Sequence, residues 1–234
     1  MYTIRNTERN NDTASEYETK SLLYLLGMRE DSDEVSILFI DCLNDVTGCS
    51  KDFKKLWDVQ SKGVSSLRPL TIGESLITLF SNYSSDDIDF SHFILIIPKL
   101  KLGYLNDENL KQFGVDNFFN YERIREGLTR KILNENDDFL VLPEYINTQL
   151  DAFLDKVLFV VADHHKSQYV KNIIDFVDKE SKSKEFYTNI FDEIRNKQTA
   201  LKNINIEDKE INSPSSLLKF NKHLKRRYRD FDCQ

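Results

Sequence analysis

The sequence has few of the residues and runs that mark proteins outside the ordinary globular class. Its 234 residues include seven glycines and four prolines, which excludes collagen-like and low-complexity chains. The longest apolar run, from Val157 to Ala162, is far shorter than the roughly 20 residues needed to cross a bilayer. The first residues are polar and acidic, whereas a signal peptide needs a basic start followed by an apolar stretch. We therefore expect a cytoplasmic protein with no membrane partner.

Cysteine is scarce, and the chain has no net positive charge. The three cysteines, Cys42, Cys49 and Cys233, are odd in number and contain no C-x-x-C pair, which predicts free thiols and no disulfide framework or zinc site. The net charge of −7 argues against a protein that coats nucleic acid through its overall field, although it permits a local basic groove. Apolar residues make up 40% of the chain, enough for a core. The length predicts one domain, or one with a substantial appendage.

Residue periodicity in the first half predicts an α/β fold with an α-β-β-α-β order. Leucines at helical spacing predict a first helix over Ser15–Gly27, with Ser15 as its N-cap and Glu18 at the capping-box position. The other elements of this core, which we place at residues 12–103, are two strands joined as a hairpin at Val35–Leu43 and Lys55–Gly63, a helix at Thr71–Tyr83 and a buried strand at Phe90–Pro98.

The second part, residues 104–234, is predicted to be a mainly helical extension, either separate from the core or packed with it as one unit. Helical patterns cover Asn106–Leu133, Ser167–Val177 and Lys184–Lys202, and Ala152–Val161 suits a strand or a buried helix. The tail from Lys219 to Arg229 has six basic residues and no acid. It suits phosphate contact through Lys225, Arg226 and Arg227, a solvated terminal helix, or a docking tail for a partner.

Polar residues at the two strands of the hairpin suggest chemistry. Asp45 follows the first strand, and the alternation of side chains points Asp58, Gln60 and Lys62 of the second strand the same way. Mg²⁺ prefers oxygen ligands, so Asp45, the Gln60 side-chain oxygen and the backbone of Val59-Gln60-Ser61 could hold one ion. Lys62 would then orient or deprotonate a water and stabilise charge on a phosphate. This pattern predicts phosphodiester hydrolysis; the alternative is a solvated polar face of a hairpin.

The element order and the D…QxK residues resemble the PD-(D/E)xK nuclease superfamily. Within it, the chain resembles the double-stranded-DNA nuclease domain at the N-terminus of many bacterial anti-phage effectors, such as the nuclease subunits of CBASS and Lamassu systems. That family carries a Tyr-Gln or Tyr-Glu pair on an N-terminal helix, an acidic pair at the end of the first strand, and Gln-x-Lys or Glu-x-Lys on the next. Tyr17-Glu18, Asn44-Asp45 and Gln60-Ser61-Lys62 stand at those places.

The resemblance implies a restriction-endonuclease-like core and an active site of Glu18, Asp45, Gln60 and Lys62. Asp45 and Gln60 would be ligands of Mg²⁺, with Mn²⁺ as a substitute, and the substrate would be double-stranded DNA. It also implies an effector of a multi-subunit defence complex, with a chromosome-maintenance-type ATPase as one possible partner. Such an effector would be restrained by its partners and active as a homo-oligomer.

Two departures from the family pattern favour an alternative from another class. Asn44 stands where the family often has a second acid, and Gln60 replaces the glutamate of the wider superfamily. A chain with these changes could be a non-catalytic adaptor subunit with a degenerate nuclease fold. An RNA-directed nuclease would use the same residues as a DNA nuclease. His164 and His165 are interpreted as loop or helix-cap residues, because adjacent residues do not face one metal site.

Overall fold

A computed structural model describes residues 2–4, 12–64, 66–85, 88–135, 144–177, 181–202, 209–211 and 223–225. Its helices are α1 (Asp12–Gly27), α2 (Pro69–Glu74), α3 (Ile77–Tyr83), α4 (Tyr121–Glu135), α5 (Glu144–Leu154), α6 (Lys166–Val177) and α7 (Lys184–Lys202). Its strands are β1 (Tyr2–Ile4), β2 (Val35–Ile40), β3 (Val46–Ser50), β4 (Leu56–Ser61), β5 (His92–Ile97), β6 (Gln112–Phe113), β7 (Val157–Val161), β8 (Lys209–Ile211) and β9 (His223–Lys225).

One mixed sheet organises the fold. Within the described ranges it has seven strands in the order β6-β7-β5-β4-β3-β2-β9. The three central strands β7, β5 and β4 are parallel, whereas β2, β3 and β4 form an antiparallel meander. Strands β1 and β8 pair separately. The fold is therefore α/β, as the sequence predicts, and residues 12–103 have the predicted element order with one additional strand, β3, and with the second helix divided in two.

The predicted two-stranded hairpin is wrong, because β3 lies between β2 and β4 and pairs with both. The segment Val46–Ser50 is short and has Gly48 at its centre, so its pattern resembles a turn. Packing explains the glycine: a Cβ added at Gly48 would lie 3.2 Å from Leu25 Cδ1 and 3.4 Å from Trp57 Cβ. The glycine thus lets α1 lie close over the middle of the meander.

The helix boundaries differ from the predictions at three places. Helix α1 begins at Asp12, so Ser15 is an internal helix residue, not the N-cap, and Glu18 does not complete a capping box. The predicted helix over 71–83 is interrupted between α2 and α3. Residues 106–120 hold β6 and a short 3₁₀ turn where a helix was predicted. The predicted helix at Lys184–Lys202 is confirmed as α7.

Helices cover both faces of the sheet. One buried cluster joins the sheet to α1, α6 and α7, and the other joins it to α2, α3, α4 and α5. Strand β4 lies between them and directs Trp57 and Val59 into the α1 cluster. Asp58 and Gln60 alternate with these residues and contact α3 instead. A strand buried on both faces is normally apolar throughout, so these two polar residues need a specific explanation.

The two predicted segments share this sheet, because β7 pairs with β5. The boundary at residue 103 stays a prediction. Lys225 lies in β9, which pairs with β2 at one edge of the sheet, while Arg226, Arg227 and Cys233 lie outside the described residues. Cys42 and Cys49 are buried free thiols, as predicted. Within the described ranges, no helix combines the length and apolar character needed to span a membrane.

Two glycines allow α2 and α4 to cross at backbone contact. A Cβ added at Gly127 would lie 2.0 Å from the Leu70 carbonyl oxygen, and one added at Gly73 would lie 1.9 Å from that of Ile124. We expect Gly127→Ala to lower the free energy of unfolding by about 3 kcal/mol, because the helices must separate. Gly114→Ala is the control, since its close neighbour is a side-chain oxygen of Asp116 that can rotate away. Equal losses in urea denaturation would contradict this account.

Candidate active site

The four predicted catalytic residues line one cavity at the carboxyl end of β4. The cavity has a volume of about 140 Å³ and holds space for several water molecules. It lies among the end of β4, the turn between β2 and β3, and the first turns of α1. Its walls are formed by Thr13, Ala14, Glu18, Asp45, Gln60, Ser61, Lys62, Gly63 and Val64. The structure therefore brings Glu18, Asp45, Gln60 and Lys62 together, and their catalytic roles stay predictions.

Asp45 is held by three hydrogen bonds to one carboxylate oxygen. Its Oδ2 accepts from the Ser61 backbone N–H at 2.7 Å, from the Ser61 hydroxyl at 2.7 Å and from Gln60 Nε2 at 2.9 Å. Asp45 directly precedes β3, whose Val46 pairs with Val59. The Asp45 side chain accepts the Ser61 N–H and so adds one hydrogen bond beyond the end of the β3–β4 pairing. Donors of this kind stabilise a carboxylate in its charged form. The negative charge is thus fixed beside the end of β4.

The Gln60 side-chain amide is bonded at both ends. Its Nε2 donates to Asp45 Oδ2 and, at 3.2 Å, to the Ser61 carbonyl oxygen, while its Oε1 accepts from the Thr78 hydroxyl at 2.9 Å. The opposite amide orientation would set Oε1 against two acceptor oxygens with no proton between them. The amide NH₂ group therefore faces Asp45 in this structure.

Asp58 lies on the same face of β4 as Gln60, as side-chain alternation predicts, but it is inside the protein and does not line the cavity. Its carboxylate accepts a hydrogen bond from Asn82 Nδ2 at 2.7 Å. Burial raises the pKa of Asp58 to about 7, although the bond from Asn82 acts in the opposite direction. Thr78 and Asn82 are four residues apart on α3, so one helix face holds both Gln60 and Asp58.

Helix α1 reaches the end of β4 because Gly63 has no side chain. A Cβ there would lie 2.9 Å from Tyr17 Cδ2 and 3.0 Å from the Thr13 carbonyl oxygen. This close approach brings the buried Glu18 to the cavity wall. Lys62 is anchored by its backbone N–H, which donates to the Ile96 carbonyl oxygen at 2.9 Å. The half-buried Lys62 side chain makes no salt bridge to another described residue.

The oxygen atoms around the cavity suit Mg²⁺. The carboxylates of Asp45 and Glu18 are hard ligands, and the Ser61 carbonyl and the Gln60 side-chain oxygen add neutral ones. Within the ranges described, no group of three or more His, Cys, Asp or Glu side chains could hold a metal. One or two carboxylates with retained water are nevertheless the usual surroundings of Mg²⁺. The residues present therefore fit this ion, provided that the Gln60 amide turns its oxygen toward Asp45.

Sequence reasoning named the Ser61 backbone as a metal ligand but missed its hydrogen bonds to Asp45, and it missed Thr78. Ser61 supplies two of the three donors to Asp45, and Thr78 fixes the Gln60 amide. A signal was present for Thr78, since Thr78 and Asn82 are polar residues four positions apart on one face of a largely apolar helix. His165 caps α6, as predicted, because its Nδ1 accepts the Ser167 backbone N–H at 3.2 Å.

Lys225, the described member of the predicted DNA-binding triplet, is remote from this site in the sheet order. Strand β9 is separated from β4 by β2 and β3. Three strand spacings correspond to roughly 14 Å. The triplet's role in binding DNA stays a prediction.

The chain was compared with protein-family models, curated proteins and solved structures. No family model matches the chain, and a search of curated proteins finds no match. Among solved structures, the chain is similar to a Moraxella osloensis Cap4 SAVED/CARF-domain containing receptor, with a TM-score of 0.47 and 15% identity. The similarity covers 81% of this chain and 43% of the receptor, so the chain spans less than half of that protein. A likeness at this level supports no conclusion about fold or activity.

Proposed function

We propose that the chain is a Mg²⁺-dependent DNA endonuclease. The observation that supports this proposal most directly is the meeting of Asp45, held by Ser61, with Lys62 and Glu18 in one cavity at the end of β4. Asp45 and Gln60 would hold the ion, with Glu18 completing or orienting its water shell. When bound, a divalent cation supplies Lewis-acid stabilisation of the negative charge that develops on a phosphate during hydrolysis.

The protein's own residues would orient the reaction. The Lys62 ammonium positions the attacking water and neutralises charge on the scissile phosphate, because a cation in a partly buried site is screened less than one in bulk water. The bonds from Ser61 hold the Asp45 carboxylate in one orientation. Ser61 is the last residue of β4, a central strand of the sheet, and Lys62 directly follows it, so a rigid element positions both residues.

The proposed biological role is that of an effector in a multi-subunit anti-phage defence system. A free DNA nuclease would damage its host, so we propose that partner subunits restrain it and that it acts as a homo-oligomer after assembly. A chromosome-maintenance-type ATPase is the partner that the resemblance favours. Support for this role comes from the family resemblance and from the helices of the second segment, to which no chemistry is assigned.

Plasmid cleavage tests the proposed activity. Wild-type protein at several concentrations is incubated with supercoiled DNA, linear DNA or RNA in Mg²⁺, Mn²⁺ or EDTA. We expect DNA cleavage with either cation, none with EDTA, and a steep dependence on protein concentration. Asp45→Asn should abolish cleavage without unfolding the chain, because the amide oxygen can still accept the Ser61 N–H. Cleavage by Asp45→Asn at the wild-type rate would refute the proposal, and cleavage confined to RNA would change the substrate.

A non-catalytic adaptor is the second candidate, and one observation favours it. The neutral amide of Gln60 donates a hydrogen bond to Asp45, and this bond reduces the need for a cation beside the Asp45 carboxylate. An adaptor should bind neither Mg²⁺ nor Mn²⁺ in calorimetric titration, whereas a nuclease should bind at least one of them. Asp45→Asn serves as the negative control in both titrations.

A further inference from the structure

The Gln60 amide nitrogen lies between two oxygens that the proposed function assigns to a divalent cation. Its distances are 2.9 Å to Asp45 Oδ2 and 3.2 Å to the Ser61 carbonyl oxygen. We propose that this NH₂ group is an internal occupant of the cation site, and that the amide must rotate by a half-turn before a cation binds. This inference rests on the proposed function and adds a regulatory step to the same site.

The amide nitrogen can occupy the cation position because its hydrogens, like a cation, attract the lone pairs of oxygen atoms. An NH₂ group has two donor hydrogens and no acceptor, so it satisfies two oxygens at once. The Asp45 carboxylate and the Ser61 carbonyl would otherwise face each other across the cavity as acceptors. A buried acceptor without a donor is costly, so the amide stabilises the site in the absence of metal.

Thr78 makes both orientations of the amide acceptable. In this structure its hydroxyl donates to Gln60 Oε1 at 2.9 Å, and Asn44 Oδ1 lies 3.4 Å from the Thr78 hydroxyl oxygen. After a half-turn of the amide, the Thr78 oxygen would accept from Nε2 and its proton would turn to Asn44 Oδ1. A hydroxyl both donates and accepts, so Thr78 and the amide atom that faces it keep a hydrogen bond in either state.

The rotated state has a clear requirement for positive charge. Rotation turns Gln60 Oε1 toward Asp45 Oδ2 and the Ser61 carbonyl, and these oxygens repel one another because the amide no longer donates between them. A divalent cation between them removes that repulsion. Cation binding must therefore replace two hydrogen bonds of the amide, which raises the cation concentration that is needed to fill the site. A glutamate at position 60 would not impose this cost.

Side-chain NMR of the full chain tests the rotation without measuring cleavage. The Gln60 NH₂ cross-peaks are assigned as the pair that is absent in Gln60→Glu. We expect these peaks to shift with Mg²⁺ in proportion to the binding measured by calorimetry. We also expect Gln60→Glu to bind Mg²⁺ at least tenfold more tightly than wild type and to show a larger rise in melting temperature on adding Mg²⁺. Gln112→Glu makes the same chemical change at an exposed position on β6 and should change neither property.

The outcomes separate this inference from the proposed function. Gln60 cross-peaks that stay unchanged while Mg²⁺ saturates the wild-type protein would overturn the rotation and leave the nuclease proposal intact. Equal Mg²⁺ affinities of wild type and Gln60→Glu would also overturn it. A failure of both proteins to bind Mg²⁺ or Mn²⁺ would refute the cation site, and with it both proposals.

Discussion

Lys62→Met is expected to slow DNA cleavage by a factor of about 10²–10³, which is the usual loss when one fixed group that stabilises developing charge is removed. Methionine has a similar length and no charge, so the cavity wall is retained. The fold should persist, because the backbone N–H of residue 62 still donates to the Ile96 carbonyl oxygen. Single-turnover cleavage at saturating Mg²⁺ measures the rate of the chemical step.

Two further measurements distinguish a catalytic role of Lys62 from simple attraction of DNA. Lys54→Met removes the same charge from an exposed site before the other end of β4 and should leave the cleavage rate within about twofold of wild type. DNA affinity, measured by fluorescence anisotropy, should fall similarly in both variants. Equal cleavage rates for the two variants, or a loss in Lys62→Met explained entirely by weaker DNA binding, would contradict a catalytic role.

The catalytic candidates could be predicted because short-range geometry places them. Gln60 and Lys62 are two residues apart in one extended segment, and Asp45 ends the turn that leads into β3, the strand that pairs with this segment. The missed strand β3 does not disturb this relation, since Asp45 still bonds to the backbone of Ser61. The predicted proximity of Asp45, Gln60 and Lys62 required only that these residues meet at the end of β4. It did not depend on how many strands the meander has.

The partners of these residues could not be predicted, because they come from distant parts of the chain. Thr78 reaches Gln60 only after α2 and α3 fold back on the sheet, where α2 packs against the backbone of α4. Likewise, strand alternation placed Asp58 on the face of Gln60 but gave no measure of its burial. Tertiary packing decides which of two similar polar residues faces water and which faces the interior.

Asp58→Asn is expected to make the protein more stable in alkaline solution. The pKa of the buried Asp58 carboxyl is about 7, whereas in the unfolded chain it is near 3.9. Between these values the folded state binds the extra proton, so the free energy of unfolding falls as the pH rises through this window. From pH 5 to pH 8 the loss should be about 3 kcal/mol in wild type, at about 1.4 kcal/mol per pKa unit, and absent in Asp58→Asn.

Urea denaturation of both proteins at pH 5 and pH 8 measures this difference, and other titrating groups cancel because the two chains share them. The asparagine oxygen can still accept from Asn82, so the variant keeps the native contact.

Asp31→Asn is the matched control, because hydrogen bonds from Arg29 and Trp57 outweigh burial and lower the pKa of Asp31 to about 2. The stability that Asp31 contributes through Arg29 and Trp57 is present above about pH 4, so this variant should be destabilised at both pH 5 and pH 8. The two losses should differ only by the contact of Asp31 with protonated His92, which is present at pH 5 and absent at pH 8. Parallel pH profiles of wild type and Asp58→Asn would show that the Asp58 carboxyl ionises normally, and that the interior behind Gln60 is open to water.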